Sequence, residues 1–99
     1  MEVLTLRDGY DRRKNPASYA FRRMTLEEIK ALVIGARYWF IARDGSARQL
    51  TINGSIKRWK RDADRLEVPV KYGMYECARL ETREALDRLL IKLEPSDLN

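Results

Sequence analysis

The sequence predicts an α+β fold: a small, strongly twisted antiparallel sheet of four to five strands, either curled as an SH3-like (the first choice) or OB-like barrel or lying open with both helices on one face. A short helix lies on its N-terminal side and a second helix closes the chain. Three observations point there. Ninety-nine residues, 44% of them apolar, support one modest hydrophobic core and no second domain. Asp44-Gly45 and Asn53-Gly54 each separate apolar or alternating runs, the strongest short-range hairpin signal. Apolar residues recur at helical spacing in two places only, after Thr25 and after Thr82.

The elements follow in order. Residues 1–24 show no period and are punctuated by Gly9, Asn15 and Pro16, which suggests a basic arm docking through Tyr19 and Phe21. Thr25 and Glu28 form a capping box, with Met24 and Ile29 placed as a hydrophobic staple. Leu26, Ile29, Leu32 and Val33 then share one face of a helix over 26–34, and Gly35 can supply its left-handed cap. Strands follow: Tyr38 to Ile41, Arg48 to Ile52 and Ile56 to Arg61, the last turned by Asp62-Ala63-Asp64. At Asn53-Gly54 a three-residue loop including Ser55 pairs Ile52 with Ile56 and keeps both on one face, so burial favours it over a two-residue loop. Arg65 to Tyr72 alternates, with Leu66, Val68, Val70 and Tyr72 on one face; Pro69 places this strand at an edge or at a bulge. A further strand can run from Met74 to Leu80. Ala85, Leu86, Leu89, Leu90 and Leu93 repeat at helical spacing behind Thr82 as cap, until Pro95 stops the helix. The domain thus covers 25–94, with 95–99 as a short tail. Ile91 falls off the helix's apolar stripe, which leaves open a homodimer through that helix.

Absent residues narrow the chemistry. There is no His and a single Cys, so no Ser–His or Cys–His pair, imidazole ligand, disulfide or CxxC zinc or redox pair can form within the chain. Cys77 reads as a small half-buried hydrophobe. Neither a P-loop nor a GxGxxG is present, and no carboxylate pair stands apart: Glu27-Glu28 belong to the helix cap and Asp62 and Asp64 to a turn. The expectation is a non-enzymatic domain with no cofactor and no metal. No apolar run is long enough to span a membrane and the first residues lack a secretory pattern, so no membrane partner and a cytoplasmic location are expected.

Charge is segregated. The chain carries 20 basic and 15 acidic residues, net +5. Residues 1–24 hold six basic and three acidic side chains, residues 37–65 eight and three, residues 66–99 five and seven. Such segregation is the footprint of a polyanion-binding surface. Its densest point is Lys57-Arg58-Trp59-Lys60-Arg61. On a strand, Lys57, Trp59 and Arg61 share one face, where an aromatic flanked by cations can stack a base while neutralising phosphates; Arg58 and Lys60 share the other. Arg48, Arg43 and the Arg12-Arg13-Lys14 cluster can extend the stripe. Lys71 and Tyr75, around Gly73, form a candidate contact corner. Bland alternatives stand beside these: Trp59 covering the barrel mouth or lying under the terminal helix with its cations solvated, and 68–76 as a bulged edge strand. Trp39, between Tyr38 and Phe40, belongs to the core.

The run from Thr51 to Glu76, TINGSIKRWKRDADRLEVPVKYGMYE, resembles short uncharacterised phage and prokaryotic proteins that share an N-G hairpin, a W-K pair and a V-P-V-K-Y-G run. The resemblance covers about a quarter of the chain, implies a phage or mobile-element context and brings no catalytic residue. Two functions remain. One is a small domain binding DNA or RNA through the Lys/Arg stripe and Trp59. The other is a protein-interaction module (an adaptor, inhibitor or accessory subunit) docking on an acidic partner.

Overall fold

The aromatic hairpin sits where expected. β3 (Arg37–Ile41) and β4 (Ala47–Ile52) pair antiparallel, Ile41 opposite Ala47, around Asp44-Gly45. Gly45 takes φ 83°, a left-handed value its missing Cβ permits, and its N–H reaches the Ala42 carbonyl at 2.9 Å. In this computed structural model, which describes residues 1–98, the chain past Ile52 departs from expectation. Asn53-Gly54 does not reverse it. Ile52 pairs with Val70, the Asn53 N–H meets the Pro69 carbonyl at 3.1 Å, and β5 (Lys57–Trp59) continues along the same edge of β6 (Asp62–Tyr72). The register slips between the two contacts, so Asn53 to Ile56 form a bulge rather than a hairpin. Pro69 explains it. Its carbonyl faces this edge, so the N–H it lacks faces the bulge, and Gly54 lies so close that an added Cβ would stand 3.1 Å from Pro69 Cγ. The bulge half of the Pro69 expectation holds and the edge half does not, because β6 is paired along both sides.

The reversal comes later, at Lys60-Arg61, where Trp59 pairs with Asp62; Asp62 and Asp64 lie inside β6. A second hairpin joins β6 to β7 (Glu76–Glu81) through Gly73, Met74 and Tyr75.

Residues 1–24 are not an arm. β1 (Leu4–Arg7) and β2 (Ser18–Arg23) pair with each other, and β2 pairs with a strand near the C-terminus. Tyr19 and Phe21 do dock, but as members of the sheet, with Phe21 fully buried. The connecting loop covers a stretch of β4 that β6 does not reach. Asp8 bridges to Ala47, and the Gly9 N–H donates to the Ala47 carbonyl at 2.8 Å. The Tyr10 hydroxyl accepts from the Gln49 N–H at 3.1 Å and donates to the Gln49 carbonyl at 3.2 Å. Side chain and loop thus satisfy backbone groups that would otherwise be left without a strand partner.

α1 (Leu26–Lys30) begins on the expected capping box: Thr25 Oγ1 accepts from the Glu28 N–H and Glu28 Oε1 from the Thr25 N–H. It stops before 34 because Gly35 N–H bonds the Ile52 carbonyl and Ile52 N–H bonds the Ala36 carbonyl, drawing the chain into the sheet. The last helix is shorter too. α2 spans Thr82–Arg88, and Leu89–Lys92 form β8, inserted between β2 and β3. Thr82 does not cap α2; its hydroxyl accepts from the Leu66 N–H at 2.7 Å and faces the Asp64 carbonyl at 3.0 Å. Leu89 and Leu90 are buried within their own chain and Ile91, half-buried, lies in β8, so the helix face expected to carry a homodimer does not form.

The result is an α+β molecule whose described residues form one mostly antiparallel sheet of eight strands, not four or five, and not closed. Its order is β1-β2-β8-β3-β4-β6-β5, with β7 on the other side of β6. The sheet buries a core on each face. On one, Leu50, Ile52, Leu66, Val68, Val70 and Leu89 pack under α1 and α2. On the other, where β1 and β2 curl towards β4, Phe21, Ala47 and Leu90 pack with Tyr19 and Trp39. The ring centroids of Phe21 and Trp39 are 5.4 Å apart, so Trp39, partly buried, packs against this core. β4, β5, β6 and β7 extend beyond this second core, and there the helix-free face stays open. No helix among the described residues is long and apolar enough to cross a membrane.

Candidate nucleic-acid interface

Strand alternation decides which side chains reach the open face. Leu66, Val68 and Val70 point to the helices, so Arg65, Glu67, Pro69 and Lys71 point away. Register carries the same face across the sheet: Thr51 lies opposite both Arg37 and Lys71, Lys71 opposite Cys77, Pro69 opposite Arg79, and Glu67 opposite both Lys57 and Glu81. Five cations (Arg37, Lys57, Arg65, Lys71 and Arg79) thus share a face with two carboxylates. Arg79 is bound to Glu67 at 2.9 Å. The other four make no ion pair among the described residues.

Trp59 stands at one end of this face, half-buried, with the Arg65 guanidinium 4.2 Å and the Lys57 ammonium 4.9 Å from its ring centre. These contacts orient the ring but also occupy it: a stacked base must displace one cation or use an uncovered part of the indole. Lys60 and Arg61 form the exposed hairpin tip beside it, so Arg61 leaves the strand face expected for it. Arg58 turns the other way, and its guanidinium donates to the Lys30 carbonyl at 2.9 Å at the end of α1. It ties β5 to the helix layer.

Further candidates divide. Arg48 lies 3.6 Å from Asp44 and 5.6 Å from the Tyr10 ring centre, held in place rather than displayed. Hydrogen bonds from the Ser46 hydroxyl and N–H, with Arg7 alongside, lower the Asp44 carboxyl to about 2. Arg13 is fastened to Asp11 at 2.6 Å, and Asp11 also accepts from the Ala17 N–H, which holds that carboxyl well below its usual range and shapes the loop. Arg12 and Lys14 stay exposed on the same loop, and Arg43 on the β3–β4 turn, without an acidic partner among the described residues. Lys71 lies on the open face, and Tyr75, 90% exposed, at the tip of the β6–β7 hairpin. Cys77 is exposed, not half-buried, and accepts a 3.4 Å contact from the Asn53 amide.

The structure therefore brings Lys57, Trp59, Lys60 and Arg61 together, sets Lys71 on the same face, and separates Arg58, Arg48 and Arg13 from them. Arg65 and Arg37 are additions. Arg65 was readable from the alternation of β6, as the residue facing away from Leu66; Arg37 needed the β3–β4–β6 register. A groove of about 570 Å³ runs between the Gly54 bulge, Lys57, Glu67 and Arg79, and a depression of about 360 Å³ lies at the opposite end beside Tyr10. Among the described residues no cluster of three or more His, Cys, Asp or Glu could hold a metal ion. Compared with known proteins, the chain significantly matches no family model, no curated protein and no solved structure.

Proposed function

We propose that the chain binds single-stranded nucleic acid across the open face of its sheet. The observation that carries this reading is the row of cations without an ion pair among the described residues, Arg37, Lys57, Arg65 and Lys71, on a helix-free face with an aromatic ring at either end. Lys71 and Arg65 stand six residues apart on β6, about 20 Å along the strand. A flexible strand can follow such a row, its phosphates on the cations and its bases on Trp59 and Tyr10.

The test is fluorescence anisotropy with labelled 12-nucleotide DNA and RNA across a salt series. Neutralising four phosphates gives a slope of log K against log salt of about −3, at ~0.7 per phosphate for single strands. Lys57→Ala with Lys71→Ala lowers affinity at every salt concentration and reduces the slope by about one and a half. A slope near zero, or a double variant that binds as the parent does, refutes the reading. Docking on an acidic protein remains the second reading, favoured by the outer edge of β7, which pairs with no strand among the described residues. It predicts a partner that co-purifies stoichiometrically after nuclease treatment while the oligonucleotides fail to bind.

A further inference from the structure

We infer that the depression beside Tyr10 is a nucleotide subsite that selects the base, an inference that rests on the single-strand reading above. Its parts divide by chemistry. Tyr10 supplies a ring whose hydroxyl end is anchored before any ligand arrives by two hydrogen bonds to the Gln49 backbone, and whose centre lies 5.6 Å from the Arg48 guanidinium, so a base stacks on the side away from Arg48. Met74, 74% exposed on the facing hairpin, offers an apolar second wall. Arg37 and Lys71, on either side of Thr51, are free for the flanking phosphates. Between them lie the Gln49 amide and the Thr51 hydroxyl, half-buried side chains with no hydrogen-bond partner among the described residues.

That last pair turns a stacking site into a reading site. An amide presents a donor and an acceptor together and can pair with the edge of one base better than another. Cations and an aromatic alone would hold any base. The volume, about 360 Å³, falls at the lower end of the roughly 300–1,000 Å³ of small-ligand pockets, enough for one flipped-out nucleotide rather than a folded polymer.

The experiment compares labelled 12-mers of dA, dC and dT on the parent chain, on Gln49→Met and on Lys57→Ala. The expected parent prefers one homopolymer by about tenfold. Gln49→Met keeps the size but removes the amide, and the three affinities converge. Lys57→Ala weakens all three by a similar factor and keeps their order. Thermal unfolding of Gln49→Met unchanged from the parent assigns the convergence to recognition rather than folding. A parent that binds all three equally, or a preference that survives Gln49→Met, overturns the subsite while leaving single-strand binding intact. Failure of every oligonucleotide to bind overturns both.

Discussion

Glu28 shows how much one side chain can organise. Its carboxylate accepts from the Thr25 N–H, closing the capping box, and from both terminal guanidinium nitrogens of Arg22, at 2.6 and 2.8 Å. It thereby fastens β2 to the start of α1. Chiefly the Arg22 hydrogen bond, against some cost of burial, lowers its carboxyl from the usual 4.5 to about 2. A depressed carboxylate stabilises the fold above its unfolded value, and that contribution is lost as pH falls towards the folded one. Urea unfolding measured from pH 5 to pH 2 should therefore show stability declining, and Glu28→Gln should start lower at pH 5 and decline less. A variant as steep as the parent would remove Glu28 from this role. At this scale the sequence was informative where the partner was local. The Thr25–Glu28 box is a three-residue pattern and was readable; the Arg22 pair adds a contact six residues away, and the Arg58 link to Lys30 crosses 28 residues that no pattern connects.

At the scale of elements, hydrophobic period competes with tertiary context. Leu89, Leu90 and Leu93 continue the helical spacing of Ala85 and Leu86, yet the chain becomes β8 at Leu89. Adjacent burial on both faces explains it: Leu89 enters the helix-side core and Leu90 the core beneath β1 and β2. A strand between two cores needs apolar residues at consecutive positions, which resembles one thick helix stripe. Asn53-Gly54 misled for a related reason, since the dipeptide suits a bulge facing Pro69 as well as a turn. The alternation of Leu66, Val68 and Val70 was readable because one-sided burial leaves a period of two. The N-terminal strands were not, because β1 and β2 build the smaller core and alternate over few residues. Phe21→Ala should cost about 3–5 kcal/mol and Leu90→Ala about 2–5 kcal/mol in urea unfolding. If residues 1–24 were a detachable arm, Phe21→Ala would cost next to nothing.

As a whole the molecule is broad and thin, 47 × 36 × 20 Å. Its radius of gyration of 14.1 Å exceeds the roughly 13 Å usual for this length. Its accessible surface of 6,919 Å² exceeds the about 5,900 Å² expected for its mass. Thinness leaves the β4–β7 region covered by helices on one side only, and this displays the cationic face. A ligand bound there bridges strands that the second core does not reach, so it should stabilise the native state by mass action. At a free 12-mer concentration 100-fold above its Kd, unfolding should become harder by about 2.7 kcal/mol. A thermal shift that grows with oligonucleotide and vanishes in high salt is the expected readout; an unmoved midpoint would show that nothing binds the folded form.

The junctions around α2 carry a consequence for how such a gene can change length. β7 ends at Glu81, α2 occupies Thr82–Arg88 and β8 starts at Leu89, with no spare residue at either seam. A codon gained or lost there turns the exit of the helix by about 100° and exchanges Leu89 with Leu90 between the two cores. The loop at residues 11–16 and the Gly73–Tyr75 tip have no such phase to keep. Drift in length is therefore expected to accumulate at those two tips, while the seven residues of α2 behave as a fixed spacer whose count matters as much as its composition.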